Sequence, residues 1–151
     1  MYKKILVPLD GSELAECALA HVKDLVKNGS GQEVTLLNIF WSHVIPIEYW
    51  YGVSGYDEFK EKAREVSVNY LADVASRLGF EGIKVITESL EGGRPAAVIS
   101  DYAQKNGIEM IIIATHGYSG LKKMMLGSVA FEVIHNAHVP VLLIRPESCR
   151  T

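Results

Sequence analysis

Met110-Ile-Ile-Ile-Ala-Thr-His-Gly117-Tyr-Ser-Gly-Leu-Lys-Lys-Met-Met-Leu-Gly127-Ser128 runs from the most apolar stretch of the chain, through a glycine-bounded loop, into a helical pattern. Met110 to Ile113 suits a central parallel strand covered on both faces. Gly117 and Gly127 have nine residues between them, and Ser128 comes directly after. Glycine lets a backbone approach an anion closely, and the N–H groups and dipole of a helix start hold negative charge, to which Ser128 adds a hydroxyl. Strand, glycine loop and helix, in that order, are the elements with which an α/β protein binds phosphate.

The same alternation extends to both sides of this stretch. Ile5-Leu6-Val7 reads as a buried strand closing on the turn Pro8-Leu9-Asp10-Gly11-Ser12, where Asp10 or Ser12 caps the next helix. Leu14, Ala15, Ala18, Leu19, Val22, Leu25 and Val26 then form one helical stripe, ended by Asn28-Gly29-Ser30-Gly31. Val34 to Phe40 is a second strand. Trp41 to Asp57, mixing Trp41, Tyr49, Trp50, Tyr51 and Tyr56 with Pro46, Gly52 and Gly55, reads as a long loop over or near a pocket. Phe59, Ala63, Val66, Tyr70, Val74 and Leu78 fall near helical spacing up to Gly79, and Ile83 to Leu90 alternates as a third strand. Pro95, after Gly92-Gly93-Arg94, suits the first position of a helix running to Lys105. After the glycine loop come a helix with Val129, Val133, Ile134 and Ala137 and a last strand, Pro140 to Ile144. Five strands alternating with helices predict a single doubly wound α/β domain with a parallel sheet.

Composition narrows the function. A chain of 151 residues, 48% hydrophobic, is sufficient for one domain with a core of its own, and a formal net charge of −3 offers no basic field for a nucleic-acid backbone. Its two cysteines, Cys17 and Cys149, form no disulfide framework or metal-ligand spacing. Lys3-Lys4 leads straight into a strand ending at Pro8, and there is no apolar run of membrane-spanning length, so the expectation is a cytoplasmic protein with no membrane association.

Gly117, nine residues, then Gly127-Ser128, together with Lys3-Lys4-Ile-Leu-Val-Pro8-Leu-Asp10-Gly-Ser12, resembles the nucleotide-binding branch of the universal stress protein family over nearly the whole chain. That family's fuller pattern has another glycine where this chain has Ala114. The resemblance implies strand order 3-2-1-4-5, which makes the first and fourth strands neighbours at the reversal, where open α/β sheets bind ligands. It also implies ATP or another adenine nucleotide as ligand, with Mg²⁺ or Mn²⁺ bridging the phosphates. Carried over position by position, the binding set is Pro8, Leu9, Asp10, Ile39, Ile113, Ala114, His116, Gly117, Gly127, Ser128, Val129 and Ala130. Asp10 would accept hydrogen bonds from adenine or ribose, Pro8, Leu9 and Ile39 would line the adenine pocket, and the glycine loop would hold phosphate.

Each of these residues also has a plainer reading. Asp10 suits a helix cap, an apolar residue at a strand end suits the core, and either glycine suits a turn. His116 has no partner acid or nucleophile identifiable in the sequence, so it reads as a packing or hydrogen-bonding residue of the loop. His135 and His138 lack a third ligand, which argues against a metal held by side chains alone. There is no Gly-x-x-x-x-Gly-Lys-Ser/Thr motif and no evident general base, so the expectation is a nucleotide-responsive sensor or adaptor with slow hydrolysis at most. The alternatives are a protein of the same fold that works through protein contacts alone, a flavodoxin-like electron carrier and, more remotely, a phosphorelay receiver. Val139 to Ile144, at a sheet edge in the implied order, is expected to pair with a second copy as a homodimer; a downstream protein partner is left unidentified.

Overall fold

Residues that alternate along each strand point to opposite faces of a sheet, so a strand buried on both faces must be apolar throughout, as Ile5-Leu6-Val7 and Ile111-Ile112-Ile113 are. A computed structural model describes residues 2–41, 55–80, 82–116 and 126–146. Its order is β1 (Lys4–Pro8), α1 (Glu13–Glu16), α2 (Ala18–Lys27), β2 (Glu33–Phe40), α3 (Tyr56–Leu78), β3 (Lys84–Glu91), α4 (Pro95–Lys105), β4 (Met110–Ala114), α5 (Ser128–Asn136) and β5 (Val141–Ile144). All sheet pairings are parallel, in the order β3-β2-β1-β4-β5. The expected doubly wound topology is the observed one. Gly117 and most of the Trp41 to Asp57 stretch lie outside the described residues.

The core has two halves, one on each face. Ile5, Val7, Val34, Leu36 and Ile112 pack under α1, α2 and α3, which contribute Ala15, Leu19, Val22, Leu71 and Val74. Leu6, Leu37, Ile111 and Ile113 pack under α4 and α5 through Ala96, Ile99, Ala130 and Val133. Burying an aliphatic side chain contributes about 1.5–3 kcal/mol, so these two layers supply most of the force holding the helices on the sheet.

Two local details differ from the sequence pattern, the division of the first helix and the phase of α3. The first helical stripe is divided at Cys17, whose N–H reaches Leu14 O at 3.3 Å in a tighter turn. Ser12, rather than Asp10, caps it: Ser12 Oγ accepts from Ala15 N at 3.1 Å, while Asp10 Oδ1 accepts from both Ser12 N and Ser12 Oγ. In α3, Val66 is exposed and Ser67 is buried, so the inward face reads Ser67, Leu71, Val74, Leu78 and is rotated from the apolar phase. Ser67 takes an inward position because hydrogen-bond partners await it there. Gly31 closes the turn before β2 with φ of +83°, and a Cβ there would lie 3.0 Å from Ile5 Cδ1.

At the outer edge, Ile111 N–H donates to Pro140 O and Thr115 N–H to Ile144 O. Strand alternation therefore turns the N–H and C=O of Val141 and Leu143 away from β4.

Candidate functional site

In a parallel sheet every strand ends on the same side, and the loops that leave it diverge where the order reverses. Here that point lies between β1 and β4, paired at Ile5 with Met110 and Leu6 with Ile111. A cavity of about 290 Å³ opens there. Its floor is apolar: Pro8 and Leu9 from the end of β1, Leu37 and Ile39 from β2, Ile113 and Ala114 from β4. Asp10, Thr115, His116 and Ser128 supply the polar side chains at its walls.

Two helix N-termini open onto this space, α4 at Pro95 and α5 at Gly127 to Ala130. At α5 no side chain caps the helix; its first internal bond is Phe131 N to Gly127 O at 2.9 Å, so the N–H groups of the opening turn are not used within the helix. Gly127 N donates to Thr115 O at 2.8 Å. A Cβ on Gly127 would stand 2.8 Å from that same oxygen, so the glycine is required by the close approach of α5 to the end of β4. Its φ of −58° is open to any residue, and space alone selects glycine. Thr115 Oγ1 and His116 Nδ1 lie 2.9 Å apart, which fixes the ring beside the cavity.

The opposite wall is held by side chains. Leu9 N donates to Leu37 O at 2.8 Å, and Leu9 O accepts from Asn38 Nδ2 at 2.8 Å. Asn38 is buried, and its Oδ1 lies 2.6 Å from Ser67 Oγ, which in turn lies 2.8 Å from Ser89 Oγ. Farther out, Tyr70 donates to Glu16 Oε1 at 3.1 Å, and Arg77 spans Glu16 and Asp73. Burial, then the Glu16 carboxylate beside it, raises the Tyr70 phenol far above its ordinary range.

Of the residues named from the sequence, all but Gly117 line this one cavity, and Gly117 lies outside the described residues. Ala15, Trp41, Pro95, Ile99 and Thr115 line it too, though the sequence pattern does not place them in the binding set. Pro95 carries a usable signal, since a proline opening a helix after β3 must lie on the sheet side shared by all the strand ends. Among the described residues no group of three or more His, Cys, Asp or Glu is placed to hold a metal ion, and no helix is long and apolar enough to cross a membrane.

A strand-order reversal, a cavity at it and an uncapped helix start define a doubly wound α/β domain with a candidate site at its switch point. The chain belongs to the universal stress protein family, whose model matches residues 1–145. Universal stress protein MJ0577 of Methanocaldococcus jannaschii is 35% identical, over 96% of each chain. Its solved structure superposes with a TM-score of 0.82 at 36% identity, covering 97% of this chain and 98% of that one. Universal stress protein MJ0531 of the same organism is 32% identical over 148 residues, 96% of this chain and 83% of the relative. A universal stress protein family protein from Arabidopsis thaliana, solved with AMP bound, shares the fold at a TM-score of 0.57 and 17% identity, covering 99% of this chain and 95% of that one.

Proposed function

We propose that this chain binds an adenine nucleotide, ATP foremost, in the cavity between β1 and β4, and acts as a nucleotide-responsive sensor or adaptor. One observation carries this reading: a single cavity has Asp10 and an apolar floor at one end and the uncapped start of α5 at the other. Adenosine fits the first end, where Ile39 and Leu9 cover the base and Asp10 accepts from hydroxyl or amino groups. Phosphates fit the second, along the N–H groups of Ser128, Val129 and Ala130. A volume of about 290 Å³ is near the lower end of small-molecule sites, about 300–1,000 Å³, and suits a nucleoside with its phosphates running outward along α5. A divalent cation, Mg²⁺ or Mn²⁺, would bridge phosphate oxygens. The AMP-bound Arabidopsis relative supports the ligand class.

Mass analysis of small molecules released from the denatured protein, followed by calorimetry with ATP, tests the reading. Released or titratable adenine nucleotide supports it. A flavin, or no nucleotide binding at millimolar concentration, overturns it.

We further propose a homodimer through the β5 edge, Val139 to Ile144. The outward N–H and C=O groups of Val141 and Leu143 favour it, because an apolar edge is stable only when paired or covered. Leu143→Asp is expected to shift a dimer to monomer in light scattering with secondary structure retained. A wild-type monomer at micromolar concentration overturns the interface.

A further inference from the structure

Leu9 is the last residue before Asp10, and both of its backbone polar groups are engaged by β2: its N–H by Leu37 O and its C=O by the buried amide of Asn38, each at 2.8 Å. The amide has only one workable orientation. Leu9 O can only accept, so Nδ2 must face it; Oδ1 can only accept, so Ser67 commits its proton there and Ser89 donates to Ser67. A chain of donors therefore runs from β3 through α3 and β2 to the loop that ends in the cavity wall. A core position in β2 and an inward position in α3 are given to polar residues, where apolar ones would contribute more to burial.

We propose that Asn38 is a positioning residue for the nucleoside end of the cavity: through Leu9 it sets where Asp10 stands, while Ser67 and Ser89 fix the amide that does so. The proposal rests on the adenine-nucleotide reading for its ligand. The hydrogen bonds of the Leu9 carbonyl and the order of the loop belong to the protein alone.

The discriminating variant is Asn38→Asp. A protonated carboxyl has the same pattern as the amide, donating to Leu9 O and accepting from Ser67, whereas a carboxylate sets negative oxygen against the Leu9 carbonyl. Burial raises the carboxyl's pKa and brings the switch to between about pH 5 and 8. Adenosine is the probe, since it carries no charge in that window and does not engage the phosphate end. Wild type is the reference at every pH, so that Asp10 of the same loop and Glu16 and Tyr70 on the α1–α3 face enter both measurements equally.

Adenosine affinity of Asn38→Asp is expected to match wild type at low pH and to fall by about tenfold as pH rises, the loss of one buried hydrogen bond. Amide hydrogen exchange of residues 9–12 in the unliganded protein, relative to wild type, should accelerate over the same pH range. Ser67→Ala, which leaves the Leu9 contact in place but frees the amide to turn, should give a smaller, pH-independent loss of both affinity and protection. It also tests the idea should Asn38→Asp not fold at high pH. Affinity and exchange unchanged with pH in Asn38→Asp, or both unchanged in Ser67→Ala, overturn the positioning role. If wild type binds no adenosine or ATP, the nucleotide reading fails and the exchange measurement still decides whether Asn38 sets the loop.

Discussion

The two ends of the cavity are built by opposite means. At the Asp10 end a buried side chain, Asn38, reaches across to hold a backbone carbonyl, and that side chain is held by others from α3 and β3. At the α5 end the contact is backbone to backbone, Gly127 N to Thr115 O, and it exists because Gly127 has no side chain. One wall depends on what three distant residues carry, the other on what one residue lacks. Substitutions should therefore act on the two ends separately, and on nucleoside and phosphate recognition separately.

The largest separation is expected from Gly127→Val. Its Cβ would meet Thr115 O at 2.8 Å, forcing the start of α5 off the end of β4. Overpacking of this kind costs roughly 1–3 kcal/mol of stability. Loss of charge-assisted N–H contacts should weaken ATP by about tenfold to a hundredfold. Adenosine affinity should stay within about threefold, because the hydrogen bonds that hold the Leu9 carbonyl and the one that holds Gly127 run to different elements. Calorimetry with both ligands checks this; equal loss for the two would mean that the ends are not separate.

Asp10→Ala should do the reverse, weakening adenosine and ATP by the same factor, about tenfold, since the lost acceptor serves the part they share. A selective loss of ATP would move Asp10 to the phosphate end. Ser12→Ala removes the α1 cap together with the Ser12 Oγ hydrogen bond to Asp10 Oδ1, and should lower thermal stability by about 1 kcal/mol while weakening adenosine and ATP alike, by less than Asp10→Ala does. A loss confined to ATP would show that Ser12 serves the phosphate end.

The smallest effect is expected far from the cavity, at Glu33 between Lys84 and Lys4. The hydrogen bond from Lys84, with Lys4 assisting, holds the Glu33 carboxyl below its ordinary value. Its contribution is thus fully present above the unfolded pKa and is lost as pH falls through the lowered folded one. Glu33→Gln should lower stability at neutral pH by about 0.5 kcal/mol or less, a difference that closes in acid, read by urea unfolding at several pH values.

The sequence displays the α5 end more openly than the Asp10 end, for a physical reason. A glycine between an apolar strand and a helix stands out in a row of letters, and so does an unbroken run such as Met110 to Ile113. Strand order comes from the family resemblance and matches the observed sheet, and a cavity lies at its reversal. Asn38 and Ser67 do not stand out. A polar residue beside an apolar stripe reads as solvent-facing, so the stripe in α3 reads through Val66, which is exposed, instead of Ser67, whose partners lie in other elements. Ile99 and Ala15 are likewise hidden, because they reach the cavity only once α1 and α4 are placed on the sheet, whereas Trp41 opens the segment that the sequence already sets near a pocket.

The register between β1 and β4 has a consequence for how the molecule is made. β1 pairs with β2 through five residues, Lys4 to Pro8, but with β4 through only Ile5 and Leu6, whose partners Met110 and Ile111 emerge from the ribosome long after them. Such a junction between remote segments is slow to form, because the chain between must be closed before its contacts are gained. A ligand held in the cavity beyond the ends of both strands would act as a rivet across the seam. Its presence would slow the parting of the amino-terminal three strands from the carboxyl-terminal two, so that the lifetime of the folded chain in a cell tracks the abundance of whatever fills the gap.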